Sequence, residues 1–350
     1  MANMRNDAMT PYERVMAVLN GQPVDRAPVA PIIRHWCARQ AGFTFSEIME
    51  SATKWAYCQY FCGKRFGMDV LWDLFGVHAE AEAMGSILSI PDDMPCSVKT
   101  PAIKTYEEDF PKLKLLNPYK DGRLALILEG IKELKELSKG YFPVLGYVQG
   151  PYRLASMVRG TEPLLKDCLK SNKYLEDLME FCTNALIVYG TAVVQAGADF
   201  MWIGDPTSSG DLISKKIWLQ YGFPYTKKLV QALKQNGVRV MLHICGSTAD
   251  RLESYVQTGI DAFSMDEKVD LGFAREAMGD DICLWGNVSP SKTLIFGTPD
   301  EVELEAKTCI EKGKGKKGKF ILGSGCIIPA EAPPQNVEAL VRASQKYGHL

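Results

Sequence analysis

His243 and Cys245 stand two residues apart in the stretch VRVMLHICGSTADRL, Val238 to Leu252. Val238 to Leu242 reads as a buried strand that runs straight into them. On an extended chain alternate side chains point to one face, so the imidazole and the thiol project together. A metal that takes nitrogen and sulfur finds two aligned ligands there. Gly246 breaks the strand, and Ser247 or Thr248 is placed to cap a helix through Asp250 to Gln257. Taken alone, His-x-Cys favours a plainer reading, in which Cys245 is a small buried hydrophobe and His243 a satisfied core residue.

A second stretch alters that balance. In KFILGSGCIIPAEAPPQN, Lys319 to Asn336, the apolar strand Phe320 to Leu322 runs into a glycine-rich turn that carries Cys326. Cys326 lies 81 residues beyond Cys245, so only the fold can bring them together. If both strand ends open on one face, His243, Cys245 and Cys326 form a one-nitrogen, two-sulfur set. Three protein ligands with an open position is the pattern of catalytic zinc, whereas structural sites are closed by four.

The elements that must position these residues follow from the whole chain. The 350 residues are 46% hydrophobic and 23% charged, the composition of a soluble globular protein. A net charge of -2 gives no support to a nucleic-acid or anionic-membrane role. No apolar run approaches the length of a membrane helix. The polar N-terminus MANMRNDAMTPYERV lacks the apolar core of a signal peptide, which points to a cytoplasmic protein. Ten cysteines without a disulfide-like framework read as reduced thiols or ligands. Cys58 and Cys62, four apart, read as packing on one helix face.

Thr10 to Leu19 predicts a helix opened by a Thr10–Glu13 capping box. Strands are expected at Ala27 to Ile33, Asp69 to Phe75, Pro143 to Val148, Asp199 to Ile203, Val238 to Leu242, Ala262 to Met265, Ile282 to Trp285 and Phe320 to Leu322. Helical spacing marks Phe45 to Phe66, Leu124 to Leu137, Asn172 to Ala196, Lys215 to Gln235, Thr298 to Glu311 and Gln335 to Tyr347. Val77 to Ile90 suggests a hairpin or extended arm, and Pro91 to Asp121 a surface excursion, giving an insertion at about 77–121. Strands separated by helices imply a parallel sheet. About eight such units imply a single-domain α/β protein, a (β/α)8 TIM barrel spanning 1–350 with an N-terminal helical extension. No glycine-rich phosphate fingerprint follows the first strand, which counts against a dinucleotide fold.

Active sites of such barrels lie at the C-terminal ends of the strands. The polar residues there are Asp73, Gln149, Asp205, His243, Cys245, Asp266, Asn287 and Cys326. In that setting the metal reading of the triad outweighs the plainer one. Asp266 is a candidate for an exchangeable fourth ligand, for a group that orients a ligand, or for a cap on the following loop. Glu267 is placed for the same roles. Gln149, Asp205 and Asn287 are candidates for substrate polar groups, with strand-end turn chemistry as the alternative for Gln149 and Asp205. His35, between Arg34 and Trp36, is a candidate substrate contact.

At these residues the chain resembles the uroporphyrinogen decarboxylase superfamily, over nearly its full length from TPYERVMAVLNGQPVDRAPV to the last helix. Supporting segments are VQGPYRLAS (148–156), GADFMWIGDPTSS (197–209), LWGNVSP (284–290) and NVEALVRA (336–343). Within it, the chain is most similar to the methylcobamide:coenzyme M methyltransferases. That branch carries LHICG and a distant GCG-type cysteine as its zinc site, here Leu242 to Gly246 and Gly325-Cys326. Ser264 to Lys268 matches its SVEEK-type segment, with Asp266 where Glu is frequent. The decarboxylases themselves carry RQAGRYLPEY after the first strand. Here Arg39-Gln40-Ala41-Gly42 continues differently, as FTFSE, and sits later in the chain.

The resemblance implies a zinc-dependent methyltransferase that moves methyl between a methyl-corrinoid (cobalamin) protein and a low-molecular-weight thiol such as coenzyme M. Zinc deprotonates a thiol that is otherwise a poor nucleophile at neutral pH. Asp266 or Glu267 would be the resting fourth ligand. The rivals are a methyltransferase that demethylates a methylated oxygen or nitrogen substrate toward the corrinoid, with zinc as Lewis acid; a metal-free tetrapyrrole decarboxylase; and a non-catalytic corrinoid-binding protein. The expected partners are a corrinoid protein and a small-molecule thiol or methylated substrate, with neither nucleic acid nor membrane.

Overall fold

The computed structural model describes residues 7–73, 76–91 and 96–349. The strands of the described residues, numbered in chain order, are β1 Leu71–Trp72, β2 Ile87–Ser89, β3 Ser97–Thr100, β4 Val144–Gln149, β5 Phe200–Gly204, β6 Arg239–Ile244, β7 Ala262–Met265, β8 Cys283–Val288 and β9 Phe320–Ser324. Among the described residues, seven of them form one curled parallel sheet in the order β1-β4-β5-β6-β7-β8-β9. Helices follow the strands and cover the sheet's outer face, as near-continuous apolar strands require. The register sets Gly204 beside His243 and His243 beside Ser264, so successive strand ends rise to one level.

The expected first strand, Ala27 to Ile33, differs from the other seven. It makes only two isolated parallel bridges, Val29 with Leu322 and Ile32 with Ile327. Pro28 and Pro31 are the cause, because neither has an N–H to give a ladder. The segment still bonds on both sides: Ala30 N–H donates to Leu322 O at 2.8 Å, and Asp69 N–H donates to Val29 O at 2.8 Å. The expected strand Asp69 to Phe75 is regular only at Leu71–Trp72, and residues 74 and 75 lie outside the described residues.

The capping box at Thr10 is present, on the helix Pro11–Asn20. Phe45 to Phe66 is two helices, Phe45–Met49 and Ala52–Phe66, because the Ser51 side chain accepts from Lys54 N–H and opens a second helix. The hairpin does not lie within Val77 to Ile90. Ala79–Ala83 is a short helix, and β2 pairs antiparallel with β3 farther along. Strands β6 and β8 run past their expected ends, which puts His243 and Asn287 inside strands. Thr248 begins the short helical turn Ala249–Arg251, but its hydroxyl caps nothing and is buried without a partner.

The helix Leu175–Ala196 has 22 residues and a mean hydropathy of 1.2, enough by length and composition to cross a membrane. More than half of that apolar window is buried. Its hydrophobicity is that of a core helix covering β4 and β5, and the acidic residues Glu176, Asp177 and Glu180 interrupt the run in sequence.

Tryptophan fills the concave side of the curled sheet. Trp72, Trp202 and Trp285, from β1, β5 and β8, meet with ring centroids 4.9, 5.3 and 5.6 Å apart. The plug makes the sheet's interior a packed core that opens only at the strand ends. At the N-terminal end, buried Asp69 accepts from Arg14 Nη1 at 2.6 Å, Arg26 Nη1 at 2.8 Å and Val29 N at 2.7 Å. This carboxylate ties the N-terminal helix to the 27–33 segment and to the start of β1.

Candidate metal centre and mouth of the sheet

Strand β6 delivers His243 and, one residue past its end, Cys245. The turn after β9 delivers Cys326. His243 Nε2 lies 3.1 Å from Cys245 Sγ, and Cys245 Sγ lies 3.1 Å from Cys326 Sγ. All three donor atoms fall within 4.8 Å of one another. This is the triad expected from sequence, assembled across 81 residues.

Two glycines permit the approach. Gly246 sits at φ +84°, and a Cβ there would come within 2.4 Å of Asp211 Oδ2. A Cβ on Gly325 would lie 2.6 Å from the backbone nitrogen of Glu267. Larger residues would push either cysteine away from its partner.

The donors fit a tetrahedral metal. Zn–S bonds of about 2.3 Å and Zn–N bonds of about 2.0–2.1 Å place sulfur–sulfur and sulfur–nitrogen pairs roughly 3.5–3.8 Å apart. The observed contacts need to open by only about 0.5 Å to reach that spacing. The two thiols lie within hydrogen-bond distance, and either can donate to the other. The hydrogen bond from Cys245, aided by His243, holds the Cys326 thiol well below the usual thiol range. The same contact and burial push Cys245 up. That is the behaviour of a pair in which one thiolate is already favoured, as a cation requires.

The imidazole is fixed from below and behind. Its Nδ1 lies 3.0 Å from Ser264 Oγ, and Trp202 packs 4.9 Å from its ring centroid. In the tautomer that frees Nε2, Nδ1–H donates to the serine. Ser264 and Trp202 were not legible as site residues. Their signal is positional, since each lies next to or below His243 in the register of the sheet.

The other candidates lie around the triad in different roles. Asp266 does not join the donor cluster. Its Oδ2 accepts from Gly246 N–H at 2.8 Å and its Oδ1 from Lys268 N–H at 3.0 Å, so it holds the backbone that follows Cys245. Glu267 accepts from Ser291 Oγ at 2.7 Å, and its Oε2 is buried without a partner. Asn287 Nδ2 donates to the carbonyls of Asp266 and Val269 at 3.0 and 2.7 Å. Its amide nitrogen therefore anchors the loop carrying Asp266.

Gln149 donates to Val77 O, and its Oε1 is unpaired. Its backbone N–H donates to Glu80 Oε1 at 2.9 Å. Asp205 lies at the start of the helix Pro151–Arg159. Burial pushes its carboxyl up to about 7, against the lowering effect of Arg153 and the backbone N–H groups of Arg153 and Tyr152. Burial also takes Glu80 to about 7. His35 packs 3.9 Å from Phe45, and burial with neighbouring Arg34 lowers it to about 4. The mouth is thus a set of buried polar groups with open hydrogen-bonding positions beside the triad, the condition expected where a ligand completes the network.

A model of the uroporphyrinogen decarboxylase (URO-D) family matches residues 10–347. The chain is 32% identical over 343 residues to the methylcobamide:CoM methyltransferase MtbA of Methanosarcina acetivorans, covering 97% of this chain and 98% of that protein. It is 30% identical over 349 residues to the uroporphyrinogen decarboxylase of Geobacter metallireducens, covering 93% and 97%. A solved structure of a methyltransferase from Methanosarcina mazei superposes with a TM-score of 0.88 at 27% identity, covering 97% of this chain and 99% of that one. By fold, by extent of match and by sequence, this chain belongs to the uroporphyrinogen decarboxylase family.

Proposed function

We propose that this protein is a methyltransferase that passes a methyl group from a methyl-corrinoid protein to a small-molecule thiol, at zinc held by His243, Cys245 and Cys326. The observation that carries the reading is the convergence of one imidazole and two thiols at the open end of the sheet. Decarboxylation has no use for such a donor set, and near-equal identity to both kinds of relative leaves the donor set to decide. The methylcobamide:CoM methyltransferases supply the donor and acceptor classes by their names.

When bound, zinc supplies the positive charge that keeps a substrate thiol deprotonated at neutral pH. The chain's own residues do the rest. Ser264 and Trp202 fix the imidazole, Asp266 fixes the turn after Cys245, and the tryptophan plug closes the floor against water. A corrinoid carried by the partner would supply a methyl group bound to a metal able to leave with the bonding electron pair, and the thiolate held beside His243, Cys245 and Cys326 would be the nucleophile that takes it. The proton released by the thiol passes to solvent or to the buried carboxyls of the mouth. We assign Asp266 to orientation, since both its oxygens hold backbone N–H groups. We also read the 27–33 segment as the eighth stave of a closed (β/α)8 barrel, one domain over 1–350, supported by its bonds to both sheet edges. A cytoplasmic setting suits its unpaired cysteines.

The test is the metal content of the purified protein together with methylcobalamin demethylation over a panel of thiols. About one zinc per chain and thiol-dependent loss of the methyl group are expected. Zinc-free protein with tetrapyrrole decarboxylase activity would overturn the reading. Ser264→Ala is expected to weaken zinc binding roughly 10- to 100-fold while the fold survives, because the imidazole loses the partner that fixes its orientation. Competition with a chelator measures this directly, and unchanged affinity would remove Ser264 from the site.

A further inference from the structure

The contact between Cys245 Sγ and Cys326 Sγ, 3.1 Å long, lies between two bonding distances. Two thiolates on one tetrahedral zinc stand roughly 3.5–3.8 Å apart. Two sulfurs joined as a disulfide stand about 2.05 Å apart. The pair therefore opens by about 0.5 Å to take the metal and closes by about 1 Å to bond to itself. It cannot do both, because a disulfide sulfur no longer carries the thiolate charge that zinc requires of a ligand.

Exposure sets this pair apart from the chain's other thiols. Of the ten cysteines, eight are buried, and only Cys245 and Cys326 reach the surface in part. Cys62 Sγ lies 3.9 Å from Cys37 O, but both residues are 0% exposed, so an oxidant in solvent does not reach them. The two half-exposed cysteines also sit on backbone that is fixed on both sides. Around Cys245, Asp205 N–H donates to His243 O at 3.0 Å, and Gly246 N–H donates to Asp266 Oδ2 at 2.8 Å. Around Cys326, Gly325 N–H donates to Val288 O at 2.9 Å, and Ile328 N–H donates to Ile32 O at 3.0 Å. The sheet thus brings the two sulfurs together, and side-chain rotation supplies the last step.

We infer that Cys245 and Cys326 are an oxidative modification site, at which a peroxide joins them in a disulfide that excludes the metal and a thiol reductant restores both. The disulfide stands on the sulfur geometry, and its exclusion of zinc rests on the metal reading given above. One thiolate attacks a peroxide oxygen, the O–O bond breaks, and a sulfenic acid and water result. The second thiol attacks the sulfenic sulfur, the S–S bond forms, and a second water leaves. Two thiols and one hydrogen peroxide thereby give one disulfide and two waters. Because zinc binds only the reduced pair, metal and oxidant oppose each other: bound zinc slows oxidation, and oxidation lowers zinc affinity. The modification stops methyl transfer under oxidant and releases it when reductant returns.

The test adds hydrogen peroxide to the full-length protein, zinc-loaded and zinc-stripped. A chelating dye follows zinc release, and peptide mapping by mass spectrometry under non-reducing conditions locates the cross-link. We expect loss of two thiols per chain, a single new bond between Cys245 and Cys326, and release of the zinc in step with it. The stripped protein should oxidise at least about 10-fold faster, and the cross-linked protein should bind zinc at least about 100-fold more weakly until dithiothreitol reverses both changes. In Cys245→Ser, Cys326 has no thiol in reach, so peroxide should leave a sulfenic acid that dimedone traps, a product missing from the wild type. Sulfinic acid at Cys326 without a cross-link, a disulfide between other cysteines, or zinc retained by cross-linked protein would overturn the inference while leaving the methyltransferase reading intact. Reduced protein that binds no zinc, yet forms the Cys245–Cys326 bond reversibly, would keep the disulfide and reject the metal reading.

Discussion

Cys326→Ser should yield a folded protein that neither retains zinc through dialysis nor methylates thiols. A structural zinc site binds with about 10–16 kcal/mol across four ligands, so one thiolate accounts for roughly 3–4 kcal/mol, or several hundred-fold in affinity. A serine hydroxyl does not replace it, since it stays protonated near neutral pH and bonds zinc poorly. The cavity change is small and lies at the partly exposed mouth, so the thermal midpoint without metal should move little. Cys326 also forms the hydrogen bond with Cys245 that raises the Cys245 thiol. Its loss removes the contact that raises Cys245, so that thiol should alkylate faster than in the wild type. Metal analysis, turnover and alkylation rate test three separate consequences. An active Cys326→Ser protein without zinc would refute the assignment of the triad.

At the opposite end of the sheet, Asp69→Ala should lower stability by about 3–5 kcal/mol, the cost of leaving buried charges without their partner. Arg14 and Asp69 side chains are both 0% exposed, so solvent cannot take over. Asp25 and Asp7 keep part of the two guanidinium groups satisfied, but Val29 N–H and the inner N–H groups of Arg14 and Arg26 lose their acceptor. The thermal midpoint should fall by roughly 5–10 °C for a chain of this size. Asp69→Asn, which keeps an oxygen for Val29, should fall between. Zinc stoichiometry in the folded fraction should not change, because the carboxylate is at the end of the sheet away from the triad. A midpoint within 1 °C of wild type would mean the network adds nothing to holding the first staves.

The two ends of the sheet were unequally legible. The triad could be read because strand-end residues two apart share a face, and because a glycine turn beside Cys326 repeats that pattern. Asp69 read only as the start of a strand. Nothing in sequence shows that Arg14 and Arg26 meet on it, since the ion pairs span 55 and 43 positions. The extended strand ends at His243 and Asn287 were read short because both residues are polar. They are accommodated inside strands because Ser264 and the carbonyls of Asp266 and Val269 take their hydrogen bonds.

What the chain determined by itself was local: alternating strand and helix, the direction of each strand end, and the residue types able to bind a soft metal. Those follow from periodicity and side-chain chemistry, which neighbours in sequence set. Tertiary structure decided which polar strand-end residues have spare bonding capacity. Asp266 and the Asn287 amide nitrogen are spent on backbone groups, whereas Arg34, buried, and Arg153, half-buried, both unremarkable in sequence, keep enclosed N–H groups open. Hydrogen-bond saturation is a property of what packs around a group, and only the assembled mouth reveals it.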